Sequence, residues 1–246
     1  MSVAFVVALA GTALANHSWG GYHWARTSNP LSLKLGDNVS GVWDSSLATA
    51  SSDWSISSVL DTSIVGGRST KNCRPTQGRV EVCNSKYGNN GWLGIAQIWA
   101  SGSHITQAVV KLNDTYFNTA KYNTPAWRNL VLCQEVGHAF GLDHQDEIFD
   151  NAPLGTCMDY TSDPTPNQHP NLHDYEQLEI IYNHLDTTNT AFSSINSNKG
   201  KSESGEQDSG LNWGKEVRKD ARGNNSLYER DLGNGQKIIT FVTWAE

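Results

Sequence analysis

Apolar and polar residues alternate through Leu31-Ser32-Leu33-Lys34-Leu35, the two-residue period of a half-buried strand, and Gly36-Asp37 turns the chain after it. Trp43, Leu47, Ala50 and Trp54 then recur at helical spacing, which predicts a helix over 42–55 with an aromatic face. A Gly-rich stretch and the loop between Cys73 and Cys83 follow. Residues 92–100 and 104–112 are β-rich and joined by Ser101-Gly102-Ser103, so they read as an antiparallel pair. Thr124-Pro125 supplies a cap and a first-turn proline, Trp127, Leu130 and Val131 make an apolar stripe, and Gly141 ends that helix. Loop-forming residues dominate from 143 to 173. A last helix is expected over 174–186, capped by Asp174 and lined by Tyr175, Leu178, Ile181, Tyr182 and Leu185.

Residues 191–210 are polar and Ser/Gly-rich, the composition of a linker. Beyond them, 227–232 and 237–244 read as two strands around Gly233-Asn234-Gly235. A lone hairpin is marginal in water, so this piece is expected to dock on the main domain. At the other end, residues 3–15 (VAFVVALAGTALA) form a short apolar run closing on Ala13-Leu14-Ala15, the pattern of a secretory cleavage site. The expected organisation is therefore a signal peptide over 1–15, a main domain over 16–190, a linker over 191–210 and a C-terminal β-hairpin segment over 211–246.

The four cysteines suit that route, because an even count after a signal peptide points to disulfides. Sequence does not choose among the three connectivities, but Cys73 and Cys83 pair most economically, which leaves Cys133 with Cys157. The formal charge is −7, and up to Thr190 the chain carries 17 acids against 10 bases. Between Arg128 and Lys199 there is no Lys or Arg, which makes a field that attracts a cation or a basic substrate. The acidic balance argues against nucleic acid as a partner, and no apolar run is long enough to cross a bilayer. Serine-hydrolase, Walker and dinucleotide fingerprints are absent from the sequence.

Chemistry concentrates in Cys133-Gln134-Glu135-Val136-Gly137-His138-Ala139-Phe140-Gly141-Leu142-Asp143-His144. Residues four apart share a helix face, so Gln134 and His138 point the same way and Glu135 borders them. Gly141 lets the backbone break, and His144 then swings back to the spot His138 faces. Two imidazoles and a third ligand, with a position left for water, are how a catalytic zinc is held, and a neighbouring carboxylate such as Glu135 can take the water's proton.

This stretch resembles the extended zinc signature of the metzincin metallopeptidases, H-E-x-x-H-x-x-G-x-x-H, and is most similar to the matrixin branch. Glu135, His138, Gly141 and His144 match in register, and Cys157-Met158-Asp159-Tyr160 resembles the methionine turn that follows. The resemblance covers roughly residues 19–186. It implies an α+β fold: a twisted mixed sheet, an active-site helix, a methionine turn and a C-terminal helix. It also implies a monomeric, secreted zinc endopeptidase acting on peptides or proteins, with Met158 beneath the metal. Glu135 would be its general base, Tyr160 a ligand or oxyanion stabiliser, and the strand near Leu112 a rim that pairs with substrate. Gln134 stands where the pattern has its first histidine. Its amide oxygen could coordinate zinc alongside His138 and His144. Alternatively, Tyr160 could complete the shell while Gln134 holds the water or the tyrosine, or the chain could be an inactive extracellular binding module. Asp143 at most supports His144. The residues His104, His169 and His173 could bind a second, structural zinc, and the acidic loop of Asp146, Glu147 and Asp150 a calcium ion, but the first are read as surface or satisfied core groups and the second as a solvated loop.

Overall fold

A computed structural model describes residues 16–68, 72–191 and 212–245. The proposed signal peptide and nearly all of the proposed linker lie outside the described residues. The fold is α+β, with a nine-stranded mixed sheet and few helices. The strands are β1 (His23–Trp24), β2 (Leu31–Asn38), β3 (Leu60–Gly66), β4 (Arg79–Ser85), β5 (Trp92–Ser101), β6 (His104–Asn113), β7 (Lys215–Lys219), β8 (Asn225–Gly233) and β9 (Gln236–Trp244). The helices are α1 (Asp44–Trp54), α2 (Asp114–Phe117), α3 (Pro125–His138) and α4 (Leu172–Ile181). Across the sheet the order is β3-β2-β4-β6-β5-β9-β8-β7, with the short β1 on the start of β6.

β3, β2, β4 and β6 run parallel to one another; β5 pairs antiparallel with β6, and the strands beyond it are antiparallel too. Parallel neighbours need a crossover, and α1 is the one between β2 and β3. α1 and α3 pack together on the sheet, burying Leu47, Ala50, Trp54, Leu130, Val131 and Val136 with Leu33, Leu35, Val80, Ala96 and Val110. The 92–100/104–112 hairpin, the Thr124 cap and the C-terminal hairpin form as expected, as do both bridges, Cys73–Cys83 and Cys133–Cys157.

Several expectations are corrected. The stretch read as glycine-rich and loop contains β3 and β4. The last helix starts at Leu172 under Asn171, and Asp174 is instead the third helical residue of a capping box; Leu185 is exposed beyond its end. β6, expected at the rim, is flanked by β4 and β5. The far edge of β5 is covered by β9, and the C-terminal hairpin carries a third strand, β7, so the segment extends the main sheet.

Candidate metal and active site

α3 delivers Gln134, Glu135 and His138, and its end is held by side chains from distant parts of the chain. The last carbonyls of a helix lack intrahelical donors. Here the Trp19 and Trp24 indoles donate to the His138 and Ala139 carbonyls (3.1 and 2.8 Å), and the Tyr182 hydroxyl donates to that of Phe140 (2.9 Å). Gly141 then takes φ +103°, and a Cβ there would stand 2.3 Å from the Tyr22 carbonyl oxygen, so glycine is demanded by both conformation and space.

That turn returns His144 to His138. Their Nε2 atoms are 3.0 Å apart, with the rings nearly perpendicular. His138 Nδ1 faces the Leu142 carbonyl at 2.8 Å, and His144 Nδ1 faces Glu147 Oε1 at 3.0 Å. An Nδ1 beside an acceptor can donate to it, which leaves the two Nε2 atoms, facing one another, as the ring nitrogens available to a cation. Such a pair is stable around a shared cation, and two ligands of one tetrahedral zinc stand about 3.3 Å apart. Burial, the largest influence, and the neighbouring His144 hold His138 well below the ordinary imidazole value, which keeps it neutral and fit to ligate.

Glu135 is fully buried, and burial pushes its carboxyl up to about 8, tempered by Thr243 and the Ala96 backbone. Neither oxygen makes a well-formed hydrogen bond to the described protein. Gly94 on β5 makes room for it, since a Cβ there would lie 2.5 Å from Glu135 Oε1. The Tyr160 hydroxyl is likewise buried without a hydrogen-bond partner among the described residues, and burial, then Glu147 and Glu135, raise it. Its ring lies 4.1 Å from that of His144 and stacks on Phe149. The Tyr160 hydroxyl beside the two converging imidazoles, with the Glu135 carboxyl near enough to raise it, gives a set of groups that could hold a divalent cation. Met158 lies against Gly137, where a Cβ would come within 2.5 Å of its Sδ. The Cys133–Cys157 bridge ties the residue before Gln134 to the residue before Met158.

Gln134 faces another way. Its Nε2 donates to the Cys157 and Asp159 carbonyls (3.0 and 3.4 Å), and its Oε1 accepts from the Thr243 hydroxyl at 2.8 Å. Thr243 belongs to β9, and Phe241 of the same strand stacks on His138 with centroids 4.0 Å apart. A third residue of the C-terminal segment, Arg218 of β7, donates to both Asp143 oxygens (2.6 and 2.7 Å) and sets its Nε 3.0 Å from Glu147. Burial pushes the Asp143 carboxyl up, but the Arg218 bonds and the nearby imidazoles bring it down to about 2. What remains open beside Gln134 and Tyr160 is a cleft of about 10 Å³, the room of roughly one water.

Glu135, His138, His144, Tyr160 and Met158 were all visible in the motif. Gly94, Arg218, Phe241 and Thr243 were not, because their roles depend on packing between elements distant in sequence: β5 on α3 for Gly94, and β7 and β9 on α3 and the loop after it for the other three. A scan against protein-family models finds no match to the chain, and a search of curated proteins finds none either.

Proposed function

We propose that the chain is a secreted zinc-dependent endopeptidase, held closed here by its own β9. The supporting observation is the pair of imidazoles converging through Nε2 atoms 3.0 Å apart, each oriented by an acceptor at Nδ1. His138 and His144 would hold the ion, with the Gln134 amide oxygen joining once Thr243 releases it. Zinc held there would polarise the scissile carbonyl and bring a bound water toward neutral acidity. Glu135 takes the proton of the attacking water and returns it to the leaving amine. The Tyr160 hydroxyl, which has no hydrogen-bond partner among the described residues, donates to the developing oxyanion. The substrate is an extended peptide in the place of β9, antiparallel to β5, with main-chain bonds for affinity. The seat that Asp143 and Glu147 offer Arg218 favours a basic side chain in that peptide. Two disulfides and the apolar N-terminal run support a secreted location.

The test is zinc analysis of the purified chain together with cleavage of casein and a peptide library, beside Glu135→Ala. Cleavage that depends on zinc and on Glu135 is expected; cleavage indifferent to Glu135→Ala sinks the reading. The engaged carboxamide of Gln134 favours one other reading, an extracellular binding module that keeps the fold without catalysis. Gln134→His separates the two: zinc binding or activity that appears only in that variant means the native site is degenerate.

A further inference from the structure

Where β1 meets β6, His23 lies opposite His104, and the segment after α4 brings His184 and Asp186 against them. Three imidazoles converge on one carboxylate oxygen. The Nε2 atoms of His104, His23 and His184 lie 3.1, 3.6 and 3.6 Å from Asp186 Oδ1, and those of His23 and His184 are 3.3 Å apart. His23 Nδ1 faces the Gly21 carbonyl at 3.0 Å and His184 Nδ1 faces Asn183 Oδ1 at 3.1 Å. With Nδ1 of His23 and of His184 each beside an acceptor, Nε2 is the ring nitrogen that each turns toward the other and toward an anionic oxygen, the atom through which it would ligate. Nitrogens and an anionic oxygen gathered at these distances need a shared positive charge, a proton or a metal ion, among them. The other Asp186 oxygen accepts from the Arg26 amide at 2.9 Å, which fixes the carboxylate's aim.

We propose that His23, His104, His184 and Asp186 form a second, structural zinc site, independent of His138 and His144. Three imidazole nitrogens and one carboxylate oxygen are a closed tetrahedral donor set, and imidazole-rich sites of this kind select zinc among the abundant divalent ions. His23, His104 and Asp186 offer their ligand atoms within 4.8 Å of one another, and His184 stands 3.3 and 3.6 Å from two of them; the four separations above, 3.1 to 3.6 Å, bracket the spacing of ligands on such an ion, about 3.3 Å. The site is reachable: the side chains of His184 and His104 are 48% and 35% exposed, whereas Asp186 and His23 are 9% and 7%. Its ligands come from the N-terminal strand, the start of β6 and the chain beyond α4, segments otherwise joined there by backbone bonds such as Asp186 N to Arg26 O and Thr190 N to Ala25 O. An ion would staple these distant pieces, so its binding energy would become folding energy. The trio His104, His169 and His173 is not this site: His169 bonds to Asp53 and His173 packs on His17.

The experiment uses the full chain carrying His138→Ala and His144→Ala, so that the other centre cannot contribute. After loading with excess zinc and desalting, this background is expected to retain about one ion per chain. Adding His104→Ala and His184→Ala removes it. Cobalt(II) in place of zinc gives the strong visible absorption of a four-coordinate ion in the background and loses it in the fourfold variant. EDTA lowers the Tm of the background and leaves that of the fourfold variant unmoved. A folded background without zinc, or zinc content unaffected by the added pair, overturns the proposal. Should the fourfold variant not fold, His184→Ala alone, at the most exposed ligand, decides: at least a tenfold weaker zinc Kd supports the site and an unchanged Kd overturns it.

Discussion

Gly141 shows how much a single position carries. Its φ of +103° and the Tyr22 carbonyl 2.3 Å from any Cβ leave no room for a side chain. Gly141→Ala should lose about 1–3 kcal/mol of stability in urea unfolding and should weaken zinc retention, because His144 reaches His138 only through this turn. Glu135→Ala makes the complementary prediction. It should retain zinc while lowering the cleavage rate by about 10²–10⁴-fold, the range of a lost general base. Residues of this kind were legible in the sequence because their spacing along one helix and its terminating turn is local. Arg79 and Glu81 were not. They pair at 3.0 Å with both side chains nearly inaccessible, within β4. Burial of such a pair depends on β2 and the bare Gly36 beside it, partners about 40 residues upstream.

At the scale of elements, the periodic segments were legible: β2, α1, α3, the β5–β6 hairpin and the β8–β9 hairpin each stand close to their expected bounds. What periodicity does not hold is neighbourhood. Nothing local in Gln236–Trp244 says that it lies antiparallel along β5, with Thr243 on Gln134 and Phe241 on His138. From this placement, Thr243→Val, which keeps the volume and removes the hydroxyl donor, should raise the initial rate of peptide cleavage several-fold. A rate equal to or below that of the native chain would count against β9 as the closing element. The bridge between α3 and the methionine-bearing turn closes a loop of 24 residues. Replacing both cysteines by alanine should cost about 2–4 kcal/mol in denaturant unfolding, and more of the loss should fall on zinc retention than on the far sheet edge.

On the scale of the whole molecule, the sheet is one continuous surface to which the C-terminal segment contributes its last three strands. The site therefore lies against the middle strands β5 and β9 rather than at the sheet's margin, and Arg218 from β7 clasps the loop that carries His144. The same continuity has a bearing on biosynthesis. Until residues 236–244 leave the ribosome, β5 presents a bare margin of main-chain donors and acceptors flanked by Ile95, Ile98 and Trp92. Unprotected margins of that sort recruit strands from other molecules. A chain stopped before Gln236 should therefore come off the ribosome prone to clump, with sedimentation showing large species where the complete polypeptide stays dispersed.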